Sequence, residues 1–429
     1  MMQFFRSRLA IPVFSAIDTA LSSNIPARPA NSSLFRVLYL CGLVVVQAAI
    51  ASVVAQLLVW CIYLVTNLAF YGQLSVAQNT PAASQQGPWI IVVPVTGALI
   101  TGWLWYAARR SRGVTRALLQ PLPAVMAIGT GSPMGAEGPI MRAGAAWGAF
   151  ISQRLKLTVD ECGILLAAAA AAGMSYFFGS PLAAAVLAAE LLLSKVTLRS
   201  MLPVILASIT AAFIHYLYRG SAPLFDLPHV TMPAPLALLA YTGIGIIIGF
   251  LAAWITKAVS YMKAAFAKLP VPPMWWPAIG GLVVGVIGYF APDTLGTGYT
   301  GIHNLLMGKV TLQMLLVLGV LKFISWCFAA GSGTPGGSIA PLFAVGGAWG
   351  LFIAFVLQAA FPQLAIRVSV AALIGMAAMF AGTTRALFTA IIFSLEITHE
   401  WNALLPLTCA CAAAYFISFL LMRTAVAPN

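Results

Sequence analysis

The chain has 429 residues, 61% of them hydrophobic and 7% charged, with a mean hydropathy of +0.97. A soluble domain carries about a quarter charged residues, so this composition excludes a water-soluble globular fold and makes lipid the solvent. The formal net charge of +13 comes from 22 Lys and Arg against 9 Asp and Glu. In so apolar a chain that excess belongs to loops kept on the cytoplasmic side. A share of it can raise the local concentration of an anion, and nothing in it calls for nucleic acid. Cys41, Cys61, Cys162, Cys327, Cys409 and Cys411 form neither a CxxC pair nor a metal-ligand pattern with histidine. They read as small apolar helix residues, and neither a metal nor a cofactor is expected.

Residues 1–33 are mixed and hold Arg6, Arg8, Pro12 and Arg28, which suits a cytoplasmic or interfacial segment. A transmembrane domain over 34–429 follows. Its first apolar run, 37–70, is more than long enough to cross. The loop 71–88 has no Lys or Arg, and the next span, 89–108, ends in Arg109, Arg110, Arg112 and Arg116. The positive-inside rule puts the Arg-free loop outside and the Arg cluster inside. Further apolar segments are expected at 140–153, 162–194, 200–218, 234–260, 273–291, 311–330, 339–361, 366–381, 386–397 and 403–422. Several are too short to cross alone at about 1.5 Å per residue, and Gly and Pro interrupt many. Broken helices at membrane depth are tolerated only inside protein or around a cavity. The expectation is an all-α polytopic membrane protein with many tilted and broken helices, built as a transporter or channel.

The most informative feature is an internal repeat. Residues 129–151, GTGSPMGAEGPIMRAGAAWGAFI, align without gaps with 331–353, GSGTPGGSIAPLFAVGGAWGLFI, at an offset of 202. The same offset matches Gly173-Met174 to Gly375-Met376 and Phe178 to Phe380. This divides the domain into repeat one, about 37–218, and repeat two, about 234–423, with a site between them at the midplane. Each unit is a Gly-rich loop, then Pro139 or Pro341 in a first helical turn, then an apolar helix. The glycines admit a ligand to the backbone. Free N–H groups and the helix dipole then face one point, which makes a backbone anion site from Gly135, Ala136 and Gly138 in one loop and Gly337, Ser338, Ile339 and Ala340 in the other. Gly144/Gly148 and Gly346/Gly350 read instead as close-packing positions.

At these residues the chain resembles the CLC family of chloride channels and proton-coupled chloride antiporters, of the bacterial type without cytoplasmic CBS domains. Gly135-Ala136-Glu137-Gly138-Pro139 resembles the family's GREGP motif, with Ala136 for Arg, and Gly336 to Pro341 resembles its GGxFxP motif. Ser180 to Ala183 with Glu190, Gly382 to Ala386, and Leu395 to Thr398 with Glu396 resemble further segments. The resemblance implies a CLC-like inverted-repeat fold, a homodimer with one pore per subunit, passage of chloride or a similar small anion with or without protons, voltage gating in some members, and a bacterial inner membrane. It also implies that Glu137 is a gating glutamate. A carboxylate beside N–H groups competes with the anion when ionised and can leave when protonated, and an intramembrane acid of this kind is functional by default. The competing reading is an ion pair with Arg142. For Glu190 and Glu396, burial against a helix end is favoured over ion passage. His215, His229, His303 and His399 lie near segment ends and read as surface or capping residues.

Three departures from the family matter. Its early GSGIPE loop is matched only by 111–116, where the anion-coordinating Ser falls on Arg112 with Ser111 beside it, a possible inner-mouth contact. The inner glutamate of coupled members falls on Leu191. The inner-gate Tyr falls near Ala427, Tyr415 being too early. These losses favour a channel-like or weakly proton-coupled protein over a tightly coupled antiporter. A fluoride-exporting branch also lacks the usual Ser and Tyr, but it carries Glu where Ser338 stands. From another class, an intramembrane hydrolase would use Ser132 or Ser332 with His303 or His399; the twinning of the two loops argues against it. A non-transporting anion sensor would bind without flux.

Overall fold

The computed structural model describes residues 34–423, apart from 85–86, 112–118, 156, 229, 231–233 and 365. The expectations for 1–33, Arg112, Arg116, His229 and Ala427 lie outside these residues. Repeat one contains α1 (Leu34–Tyr71), α2 (Trp89–Arg110), α3 (Leu122–Gly129), α4 (Glu137–Arg154), α5 (Val159–Phe178), α6 (Pro181–Leu192, its end a π turn) and α7 (Leu198–Arg219). Repeat two contains α8 (Pro235–Ala267), α9 (Trp276–Phe290), α10 (Tyr299–Leu306), α11 (Leu312–Gly331, with a π turn inside), α12 (Ile339–Ala360), α13 (Val368–Thr384), α14 (Leu387–Thr398) and α15 (Leu404–Arg423). Nine helices among the described residues are long and apolar enough to cross a membrane. No strand occurs among them, and the one isolated bridge pairs Gly135 with Gly337.

The two halves pack alike. α4 lies on α5 as α12 lies on α13; α5 lies on α7 as α13 lies on α15; α1 lies on α7 as α8 lies on α15. Among the named helices of the described residues, the halves are joined chiefly by α2 with α9 and α6 with α14. α5 and α13 are apolar all round, which marks a helix enclosed by others. Nearly all of α5 is buried, and so is α13 from Val370 to Thr384. The alanine run 167–172 lets neighbours approach α5, and Gly346 does the same for α13, since a Cβ there would lie 2.4 Å from Gly375 O.

Most apolar segments keep their expected bounds. The run 162–194 does not: it breaks at Gly179, which sits in the left-handed region (φ 68°) before Pro181 starts α6. Proline cannot continue a helix that has already turned. The short helices α3 and α10 were not anticipated, because eight residues show too little periodicity to stand out. The ion pairs Arg36–Glu161 (2.7 Å) and Arg199–Glu161 (3.7 Å) tie the starts of α1, α5 and α7, and a Thr158–Glu161 capping box opens α5.

Candidate anion site

The twin loops meet. Gly135 N–H donates to Gly337 O (2.9 Å) and Gly337 N–H to Gly135 O (2.7 Å). Antiparallel pairing of residues equivalent by the repeat places a local twofold between them. It also points the starts of α4 and α12 at the same region. Neither helix carries a side-chain cap at Ala136 or Ser338, so first-turn N–H groups stay available to a ligand.

In α12 that ligand is the Glu137 side chain. Its Oε1 accepts the Ile339 N–H at 2.8 Å, and its Oε2 accepts the Tyr299 hydroxyl at 3.3 Å. The residue is 1% exposed. A Cβ on Gly135 would lie 1.9 Å from Oε2 and one on Gly337 2.2 Å from Oε1, so both glycines are needed to admit the carboxylate. Gly138 serves backbone contact, since a Cβ there would lie 2.8 Å from the Gly337 Cα. Ala340, fully buried, is the second residue of α12. Arg142 does not pair with Glu137: its guanidinium donates to Gly138 O and Gly336 O, each at 3.2 Å, and so laces the two loops through carbonyls.

Beside the loops opens a cavity of about 120 Å³, lined by Tyr63, Asn79, Ala136, Phe177, Asp293 and Tyr299 among others. Residues 78–82 of the Arg-free loop form part of its wall. Ala136, which precedes Glu137, and Tyr299, its hydroxyl partner, both line it.

A sequence model described as voltage gated chloride channel matches residues 107–419. The chain belongs to this family. It is an integral, multi-pass anion transport protein of CLC type and not an enzyme. A ClcB-like chloride channel protein of Ralstonia nicotianae is 27% identical over 363 residues, covering 79% of this chain and 85% of that relative. A voltage-gated ClC-type chloride channel, ClcB, of Escherichia coli is 27% identical over 80% of this chain and 88% of its own length. Among solved structures, a slow cyanobacterial Cl−/H+ antiporter superposes with a TM-score of 0.75 at 21% identity, over 89% of this chain and 97% of that one. A CLC-type fluoride/proton antiporter gives 0.74 at 21% identity, over 90% and 97%. These likenesses show the CLC fold.

Within that fold the other two intramembrane acids take structural places. Glu190 accepts the N–H groups of Phe388 (3.0 Å) and Thr389 (2.8 Å) and the Thr389 hydroxyl (2.6 Å) at the start of α14. Glu396 accepts the N–H groups of Leu182 (2.9 Å) and Ala183 (2.7 Å) at the start of α6. Each repeat thus caps a helix of the other, as the reading from burial anticipated. His215 Nδ1 bonds Tyr176 O (2.5 Å) near the end of α5, and His399 ends α14 in the left-handed region. Ser111 ends α2, its hydroxyl donating to Ala107 O (3.0 Å). The hydrolase reading finds no support: Ser332 Oγ bonds Ala329 O and Thr334, and buried Ser132 Oγ has no partner.

Two residues beside the candidate site escaped the sequence reading. Tyr299 follows Gly296-Thr297-Gly298, a loop signal that went unused because the offset of 202 lands on Gly97, which shares no motif. Lys322, fully buried in α11, donates to Thr294 O (3.0 Å) and Gly296 O (2.8 Å) and so fastens the loop that carries Tyr299. A lysine inside an apolar run is the signal that could have found it.

Proposed function

We propose that the chain passes chloride or a similar small anion through this backbone-amide site, with Glu137 as a protonatable gate and with channel-like or weakly proton-coupled behaviour. The observation that carries the reading is the Glu137 carboxylate bound at the start of α12. There it holds the N–H that an anion would take. Ionised, it excludes the anion. Protonated, it loses the charge that holds it and can leave toward the cavity. Gly135, Ala136, Gly138, Gly337, Ser338, Ile339 and Ala340 form the walls of the anion site in this reading. Leu191 beside Glu190, itself committed to three hydrogen bonds, offers no free inner acid, which favours weak coupling. The relatives named as chloride channels agree with it. Tight antiport is the second reading, favoured by neighbours titled as proton antiporters. A homodimer in a bacterial inner membrane, with the 71–88 loop outside, completes the proposal. Ser111 and Arg112 stay candidate inner-mouth contacts.

The test is efflux from chloride-loaded proteoliposomes with external pH recorded, for the wild type and Glu137→Gln. Chloride efflux with little proton uptake is expected. Stoichiometric proton uptake, abolished by Glu137→Gln, would establish the antiporter instead. Absence of chloride flux from both proteins would overturn the chloride assignment.

A further inference from the structure

The two Glu137 oxygens mark where an anion would sit, because a carboxylate oxygen accepts the same donors as a halide. One oxygen takes an amide from α12. The other takes a phenol from α10, an element outside both twin loops. We infer that the Tyr299 hydroxyl is a switching donor on the cavity side of the site: it holds Glu137 in the blocking position and binds the anion itself once Glu137 leaves.

Three observations carry this. First, the hydroxyl's position is fixed before any ligand arrives. The ring packs against Phe177 and Phe225 at centroid distances of 6.1 and 6.3 Å. Gly298 precedes it in the left-handed region (φ 77°). The loop is tied from one side by Lys322 and from another by Gly296 N–H donating to Gly131 O (2.9 Å). Donors held rigid are the ones that add to affinity. Second, Tyr299 and Ala136, the residue before Glu137, both line the cavity, so an anion arriving from there reaches the phenol next to the gate. Third, the hydroxyl's partner is the one group in the site that has to move. When that group goes, a part-buried donor is left that an anion or water must satisfy.

The inference rests on the gate reading and extends it to a ligand. The charged and titratable groups around the pair are Arg142 on α4, Tyr63 on α1, Asp293 at the cavity, Lys322 on α11, and Arg219 on α7, whose guanidinium lies 6.0 Å from the Phe177 ring. None of these changes in Tyr299→Phe, which also keeps the ring. Removing the hydroxyl costs the ionised form of Glu137, the stronger acceptor, more than the protonated form. Protonation then becomes easier, and the pH of half-maximal flux moves up.

The experiment has two arms. Calorimetric titration of chloride into purified Glu137→Gln and Glu137→Gln/Tyr299→Phe reads the anion contact without the gate. Proteoliposome flux against pH, for the wild type and Tyr299→Phe, reads the latch. At 3.3 Å the bond is long, so the expected effects are moderate: about three- to tenfold weaker chloride binding, and a midpoint shifted up by about half to one pH unit. Equal affinities with an unmoved midpoint would overturn the inference and leave the gate reading standing. A Glu137→Gln protein that keeps the wild-type pH profile would strike the gate reading instead, while the affinity arm still judges Tyr299. Tyr299→Leu, which removes the ring, separates packing from donation: it should lower thermal stability where Tyr299→Phe does not.

Discussion

Glu137 and Ile339 occupy equivalent positions of the twin loops, and the carboxylate of the first binds the amide of the second. In the proposed gate, repeat one supplies the plug and repeat two the socket. The α6–α14 pair behaves differently. Glu190 and Glu396 are 206 residues apart, as are Leu182 and Phe388, and Ala183 and Thr389. Each acid caps the other repeat's helix in the same way. Where both repeats carry the carboxylate, it closes a helix end. Where only one carries it, as at Glu137, the proposed gate leaves the other's amide open to exchange. On the proposed reading, broken symmetry marks the moving part and retained symmetry marks the frame.

The comparison is broken most strongly at Glu137. Glu137→Gln removes the competing charge while preserving shape. Anion flux at neutral pH should rise about tenfold or more, the lower end for a hydrogen bond to a charged group, and flux should lose its dependence on pH; proteoliposome efflux between pH 4.5 and 7.5 checks both. At the frame, Glu396→Ala leaves two N–H groups without a partner at about 1–3 kcal/mol each. Its thermal melt should fall markedly while the surviving protein keeps wild-type pH dependence. Glu190→Ala should fall less, because the Phe388 N–H lies at an exposed position where water can replace the acid. Gly337→Ala sharpens the contrast at the loops. Its methyl group would stand 2.2 Å from Glu137 Oε1 and 2.8 Å from Gly138 N. The carboxylate should be displaced, flattening the pH profile with a loss of stability that Glu137→Gln does not show. The smallest effect is expected from Ser338→Ala. A capping serine normally contributes about 1 kcal/mol, but this one makes no cap bond. A melt within about 0.5 kcal/mol of wild type, with unchanged flux, would show that backbone amides and not the hydroxyl make the site.

Much of this was legible in the chain itself. Low charge, long apolar runs and the gapless repeat dictate a helical membrane protein in two related halves, because lipid leaves the backbone no partner but itself. Gly135 and Gly337, Pro139 and Pro341, and the lone Glu137 between them locate the candidate anion site, because local geometry decides where free N–H groups point. Tertiary structure alone decided the rest. Which amide receives Glu137, that Arg142 faces carbonyls and not the acid, that Glu190 and Glu396 exchange helix ends, and that Tyr299 and Lys322 stand beside the site are contacts between segments tens to hundreds of residues apart. A repeat offset pairs positions within the two halves, but distance across the twofold follows from how the halves pack. For Tyr299, whose loop has no counterpart at that offset, only the packed chain could place it.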